Sequence, residues 1–368
     1  VYCDFYFVTT AKSPASFVRA MEQEIRLYGT EYGALEPLET IYFGGGTPSL
    51  LPLDDVARIL RTIDRSFDTS RVEEVTFELN PEDGSDDYLR GLRKLGVNRL
   101  SIGIQSFFDS DLEFMNRCHK AEDAKTVIAR AHDAGFDNFS ADLIFGVPKQ
   151  PEEYWSANLE IAVGLDVPHI STYSLTVEEG TPLWKQVSRG LVQESSDDVH
   201  NTRFVFAMDY LRGQGFEHYE ISSFARPGHR AIHNHRYWEH ANYIGCGPSA
   251  HSFWWKGLPA KRWSNVRNVK RYEALLTQHV MPLEDREHLD LDTLADEYVM
   301  LRLRTMDGLN LAELEERYGV DLLVDRLQEL ADLEASGLIH PIRNHHVRLT
   351  DLGKTVCNSV TTKLLPDS

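Results

Sequence analysis

One repeated pattern constrains this chain more than anything else. Up to about residue 177, short apolar strand-like runs alternate with amphipathic helical runs at roughly thirty-residue spacing. The strand candidates are Thr40–Phe43, Glu74–Leu79, Arg99–Ile104, Asn138–Ile144 and His169–Leu175. Each is rich in Ile, Val, Leu, Phe or Tyr, as a largely buried parallel strand requires. Helical patterns lie between them, at Ser16–Tyr28, Leu53–Ser66, Ser85–Lys94, Ala121–Ala134 and Pro151–Leu165. Gly96 and Gly135 follow two of these, where a helix is expected to stop. Val1–Phe7 reads as the tail of a further strand. Repeated βα units dictate a parallel sheet with helical crossovers. The expected fold class is therefore α/β, a partial (β/α)6 TIM-like barrel, with a doubly wound sheet as the alternative. The barrel is preferred because polar residues recur at the strands' C-terminal ends: Cys3, Gly44–Thr47, Glu78 and Asn80, Gln105, Asp142 and Tyr173. In (β/α) barrels that rim carries the chemistry.

The pattern then changes twice. Residues 178–290 are less regular: a helix over Asp197–Gly213, then Tyr219–Phe224, then a loop rich in His, Asn, Gly and aromatics up to Trp255. Beyond Asp290, Glu297–Leu303, Leu311–Tyr318 and Asp321–Ser336 read as short helices, Gly337–Ile339 and Val347–Thr350 as a hairpin, and a last helix starts at Asp351. Helices followed by a two-stranded wing predict a mainly helical, winged-helix-like unit. It lacks a basic recognition helix, so a structural or lid role is expected. The predicted division is 1–180, 181–290 and 291–368.

A chain of 368 residues, 42% hydrophobic and 26% charged, can bury a sizeable core. Its formal net charge is −19 and its Lys and Arg are scattered, which argues against nucleic acid. A local cationic pocket for a carboxylate-bearing ligand stays open. Without a run of eighteen apolar residues no membrane span is expected. Cys3, Cys118, Cys246 and Cys357 are too far apart for a disulfide framework, so a reduced, cytoplasmic protein is expected. No export signal is visible.

Gly44-Gly45-Gly46-Thr47-Pro48 leaves the first strand without the Lys-Ser/Thr pair of a phosphate loop. It is either a tight strand-to-helix turn or a backbone-lined seat for an amine or carboxylate. Glu78, Gln105, Arg117 and Asp142 follow on successive units. Singly each is a strand cap or solvated end; jointly they would surround a polar ligand bearing an ammonium and hydroxyls. His233-Asn234-His235-Arg236-Tyr237-Trp238 could bind a metal, stack on a flat ligand, or fill a loop.

The order of C-D-F, Y-F-G-G-G-T-P-S-L, E-L-N-P, G-V-N-R-L-S-I-G-I-Q-S-F, D-L-I-F-G-V-P and H-I-S-T-Y-S-L resembles the radical S-adenosylmethionine (SAM) proteins related to oxygen-independent coproporphyrinogen III oxidase, over nearly the whole chain. The resemblance implies a [4Fe–4S] cluster on a C-x3-C-x2-C motif, with one iron open to chelate SAM. By that match Cys3 is the third thiolate, with two partner cysteines expected before Val1. Gly45, Gly46 and Thr47 would contact the methionine part of SAM, and Glu78, Gln105, Arg117 and Asp142 would complete its pocket. Cys118, Cys246 and Cys357 match no cluster position and are expected in the core.

The H-N-x-x-Y-W segment resembles the branch called HemW, which implies a haem chaperone with His233 as iron ligand and Arg226, Arg230 or Arg236 as propionate partners. The implied partners are haem or another tetrapyrrole, a haem-acceptor protein and an electron donor. The alternative is an oxidase that decarboxylates coproporphyrinogen III propionates by radical chemistry. Peripheral membrane association, and monomer against dimer, are left open.

Overall fold

The computed structural model describes residues 15–365, so Cys3 and the strand expected over Val1–Phe7 lie outside the described residues. Along the chain run α1 (Ala15–Tyr32), β1 (Thr40–Phe43), α2 (Leu53–Ser66), β2 (Glu74–Leu79), α3 (Asp86–Lys94), β3 (Arg99–Gln105), α4 (Asp109–Phe114), α5 (Ala121–Asp133), β4 (Phe139–Phe145), α6 (Glu152–Gly164) and β5 (His169–Ser174). The five strand candidates are all present, each within one residue of the expected bounds. They pair in parallel in chain order. The hairpin of β6 (Glu217–Glu220) and β7 (Ser223–Ala225) then extends the sheet antiparallel to β5, giving the order β1-β2-β3-β4-β5-β7-β6. Among the described residues the sheet does not close.

Each parallel strand is two-faced. In β2, Phe77 and Leu79 are buried in the main core with Leu89 and Leu92 of α3 and Val127 of α5. Their neighbours Glu74, Thr76 and Glu78 point the other way by strand alternation. The same alternation puts Arg99 and Ser101 of β3, Ser140 and Asp142 of β4, and His169 and Ser171 of β5 on that second face. The register aligns them in rows, Thr76 beside Arg99, Glu78 beside Ser101, Ser101 beside Ser140 and Asp142 beside Ser171. Helices cover the apolar side, and the polar side lines a lumen.

Residues 178–290 hold α7 (Pro182–Ser188), α8 (Asp197–Gly213), α9 (Ile232–Trp238), β8 (His251–Trp254), β9 (Ala260–Asn265), α10 (Val269–Thr277) and β10 (Leu283–Leu289). The three strands form a separate antiparallel sheet. Glu24 of α1 ties these parts together: it accepts from Tyr272 Oη (2.5 Å), Asn265 Nδ2 (2.5 Å) and the Gly247 amide (2.8 Å) while fully buried.

The C-terminal residues build a second core around Leu294, Tyr298, Leu314, Leu330, Val347 and Val360. Its first helix begins at Leu291, earlier than Glu297, because Asp290 caps it through the Thr293 amide at 2.9 Å. The helix expected over Asp321–Ser336 is broken at Arg326 into Leu322–Asp325 and Leu327–Ala335. In the wing, Ile339 bridges Leu349, and His346–Val347 pairs with Leu309–Asn310. This unit also covers the edge of the large sheet: Ile221 N donates to Arg304 O and Met306 N to Tyr219 O, both at 2.9 Å.

Candidate functional site

The chain leaves β1 through Gly44–Thr47 at the rim of the lumen. Tyr42 Oη donates to Glu78 Oε1 at 2.6 Å, and the Gly45 amide donates to Glu78 Oε2 at 3.2 Å. A Cβ on Gly44 would lie 2.6 Å from Glu78 Oε1, so only glycine lets the backbone pass this pair. Gly45 takes φ +78°, and no atom of the described residues lies within 4 Å of where a Cβ on Gly45 or Gly46 would stand. The loop is therefore clamped on its β2 side and open on the other. Thr47 follows, exposed, at the head of a short turn.

Across the rim, Arg117 donates to Asn80 Oδ1 at 2.6 Å and approaches Gly103 O at 3.5 Å. A Cβ on Gly103 would fall 2.9 Å from Gln105 Nε2 and 3.3 Å from Arg117 Nη2, so both side chains fold over that glycine. Gln105 sits in left-handed backbone at φ +59°, an uncommon conformation for a side-chain-bearing residue. Its Oε1 is buried without a partner among the described residues. Asp142 accepts from Ser101 Oγ at 2.8 Å. It lies inside β4 rather than at the strand end expected, because the strand runs on to Phe145. Burial raises the Asp142 carboxyl above its ordinary value. Burial likewise raises Glu78, opposed by the Tyr42 bond and reinforced by Asp142. Two poorly solvated carboxyls at one rim favour a cationic ligand.

Below the rim sits His233. It lies on a helix rather than in the loop expected from sequence, as the second residue of α9. The helix start is satisfied from β2: the Ile232 and His233 amides donate to Glu74 at 2.9 and 3.0 Å. Glu74 in turn faces Arg99 at 3.9 Å, both side chains 2% exposed. The imidazole is bound on both edges, Nδ1 to Thr40 Oγ1 at 2.7 Å and Nε2 to Tyr237 Oη at 3.2 Å. Its face stacks on Tyr42, with ring centroids 4.7 Å apart and planes 22° from parallel. Burial pulls its pKa down to about 4, with Glu74 opposing and Arg99 assisting. The ring is neutral at physiological pH. When Nδ1–H is donated to Thr40, the Nε2 lone pair is the one available to a metal.

His235 does not join this site; its Nε2 faces Glu239 and Asp307, each at 3.5 Å. The arginines expected as propionate partners are already engaged. Arg236 pairs with Glu39 (2.6 Å) and Glu239 (2.7 Å), Arg230 with Glu217 (3.2 Å) and Asp307 (3.7 Å), and Arg226 lies over Phe216. Cys357 is buried and Cys246 half-buried, but Cys118 is exposed beside Arg117, contrary to the core position expected of it. Among the described residues no group of three or more His, Cys, Asp or Glu is arranged to hold a metal ion.

Tyr42, Glu74, Arg99 and His169 were not singled out by the motifs. His169 is buried and bonds Tyr219 Oη at 2.7 Å through Nε2. Their signal is the alternation itself: charged, His, Tyr, Ser or Thr side chains at alternate places of otherwise apolar strands.

A parallel sheet with a polar lumen, a glycine loop after β1 and carboxyls on the following strands defines the class: a radical SAM-type α/β fold with a mostly helical C-terminal unit. Residues 1–161 match the Radical SAM superfamily and residues 289–356 the HemN C-terminal domain. The "Heme chaperone HemW" of Bacillus subtilis is 34% identical over 362 residues, 98% of this chain and 94% of that protein. The "Heme chaperone HemW" of Lactococcus lactis is 31% identical, covering 100% and 94% of the two chains. The solved coproporphyrinogen III oxidase (HemN) of Escherichia coli superposes with a TM-score of 0.83 at 21% identity, covering 99% of this chain and 86% of that one, and shares the fold. The chain belongs to the HemW branch of the HemN-like radical SAM family. That family implies a [4Fe–4S] cluster and SAM. No helix among the described residues is long and apolar enough to cross a membrane.

Proposed function

We propose that this protein is a haem chaperone: it binds haem through His233 and passes it to acceptor proteins, with SAM and the cluster held at the rim above. The observation that carries this reading is the state of His233. A neutral imidazole with Nδ1 anchored to Thr40, and Nε2 facing only a phenol, is ready to ligate iron once Tyr237 yields. Tyr237 is 39% exposed, so it can move aside.

The rim residues fit SAM. The unpartnered Gln105 Oε1 offers an acceptor, the open flank of Gly45, Gly46 and Thr47 offers backbone groups, and the raised carboxyls of Glu78 and Asp142 suit an ammonium. Arg117 supplies a cation for a carboxylate. Cys3 is assigned to the cluster with two cysteines preceding it; that assignment lies outside the described residues. When bound, the cluster supplies an electron to the sulfonium. The residues described here bind and orient SAM. The division 1–180, 181–290 and 291–368 is kept as a proposal; the two apolar cores support a main and a C-terminal unit, with Leu211 and Phe224 packed in the first core and Phe253 and Ala260 in the second.

The second reading, radical decarboxylation of coproporphyrinogen III, is favoured by the likeness in fold to the solved oxidase. One experiment separates them. Haem is titrated into the full chain and into His233→Ala while the Soret band is followed, and the cluster-loaded protein is incubated anaerobically with SAM, reductant and coproporphyrinogen III. A chaperone shows a His233-dependent Soret band and no decarboxylated product; product formation overturns the choice.

A further inference from the structure

Two sites that the motifs present as separate share one side chain. Tyr42 lies between the rim and the floor of the lumen, touching a different group with each of its ends. Its hydroxyl donates to Glu78 Oε1 at 2.6 Å, while its ring stacks on the His233 imidazole at 4.7 Å. The Glu78 oxygen that Tyr42 does not use holds the Gly45 amide at 3.2 Å, so each carboxylate oxygen already carries one bond and a newcomer has to share it. Any cation that binds Glu78 must share or displace one of these two bonds. His233 has as little freedom, being fixed by Thr40, Tyr237 and, at its backbone, Glu74. A tilt of the Tyr42 ring therefore reaches the imidazole, and a pull on the imidazole reaches Glu78. A Cβ on Gly44 would run into the same pair, so the glycine is what lets the Tyr42–Glu78 bond sit beside the loop.

From this juxtaposition we infer that Tyr42 is a positioning residue that couples occupancy of the Glu78 rim to the ligating state of His233. Resting on the reading of rim and floor given above, the inference adds that the two ligands report on each other. Tyr42 itself needs to touch neither ligand. Coupling between binding sites is reciprocal, so the factor by which SAM changes haem affinity equals the factor by which haem changes SAM affinity.

The test uses the full chain with its cluster reconstituted anaerobically. The Kd of haem is measured from the Soret band with and without saturating SAM, and the Kd of SAM by equilibrium dialysis with and without haem. In the wild type both ratios are expected to depart from one by about fivefold or more, at the low end of ordinary coupling. Tyr42→Phe keeps the stacked ring and removes the bond to Glu78; its two ratios are expected to collapse to one, whatever the individual Kd values. A wild type with no coupling, or a Tyr42→Phe protein with the wild-type ratio, overturns the inference. If His233→Ala binds haem as the wild type does, the haem-ligand reading fails instead. The relay is then read directly from the imidazole nitrogen resonances of His233 in 15N-histidine-labelled protein. SAM moves them in the wild type and not in Tyr42→Phe if the relay holds; equal shifts in both, or none in the wild type, reject it.

Discussion

If His233 ligates haem as proposed, its depressed basicity predicts a ligation insensitive to acid over a range where an ordinary histidine would fail. Iron takes only the neutral imidazole, so apparent affinity scales with the unprotonated fraction. An unperturbed histidine, with a pKa of about 6.5, is only about 3% neutral at pH 5. It would lose about thirtyfold in affinity between pH 8 and pH 5. Burial lowers the His233 value to about 4, outweighing the neighbouring Glu74 carboxylate. At pH 5 the ring is then about 90% neutral, and the loss shrinks to about 1.1-fold. The assay is a Soret titration at pH 8, 6 and 5, with His233→Ala measured in parallel so that only the His233-dependent absorbance is compared. A Kd that changes less than twofold over this range is expected. A tenfold or larger weakening by pH 5 would refute the reasoning, because it would place the imidazole in a solvent-like environment that its partners Thr40, Tyr237 and Tyr42 exclude.

The remaining predictions concern the scaffold. Burial raises the Glu24 carboxyl to about 7, despite hydrogen bonds from Tyr272, Gly247 and Asn265. The folded chain thus holds a proton that the unfolded chain releases near 4.5, and stability falls as pH rises from about 4.5 to 7, then levels. The shift is worth about 3 kcal/mol. Unfolding entropy of about 2.1 cal/mol/K per residue over 368 residues makes that about 4 °C in Tm. Calorimetry at pH 5 and pH 8 is expected to show a drop larger by about this amount in the wild type than in Glu24→Gln; equal drops would count against it. At the rim, Gly44→Ala forces a Cβ against Glu78 and Tyr42, whereas Gly46→Ala meets open space. Gly44→Ala is expected to lower Tm by a few degrees and weaken SAM at least about tenfold, a shift of about 1.4 kcal/mol. Gly46→Ala is expected to leave Tm unchanged and to weaken SAM alone, as dialysis and calorimetry together would show.

How much of this was readable in the sequence depends on where each element's determinants lie. β1 to β5 carry theirs locally, in β-branched and aromatic runs bounded by turns, and they appear within one residue of expectation. α2 is likewise set by its own apolar spacing, with Val56 and Ile59 buried on one face. α9 is different. Seven residues, Ile-His-Asn-His-Arg-Tyr-Trp, have no apolar period, and the carboxylate that satisfies the helix start is 158 positions away in β2. No local reading could have placed His233 on a helix, because Glu74 writes that helix from across the lumen. The same Glu74 shows what could have been found. In Glu74-Val75-Thr76-Phe77-Glu78-Leu79 the alternation is plain once the strand is read as two-faced instead of wholly buried, and it repeats in Arg99-Leu100-Ser101-Ile102 and His169-Ile170-Ser171. A closed, dry barrel would place aliphatic side chains at those positions, since each charge left in such a core costs several kcal/mol unless paired. Glu74 and Arg99 sit 3.9 Å apart and are almost unexposed, and Glu74 spends its oxygens on the Ile232 and His233 amides instead of a close pair with Arg99. The polar stripe therefore argues, without any motif, that this sheet surrounds something other than itself. The two places where its order is broken are left-handed Gln105 and the Tyr42–His233 stack, the same two at which the proposed function seats its ligands.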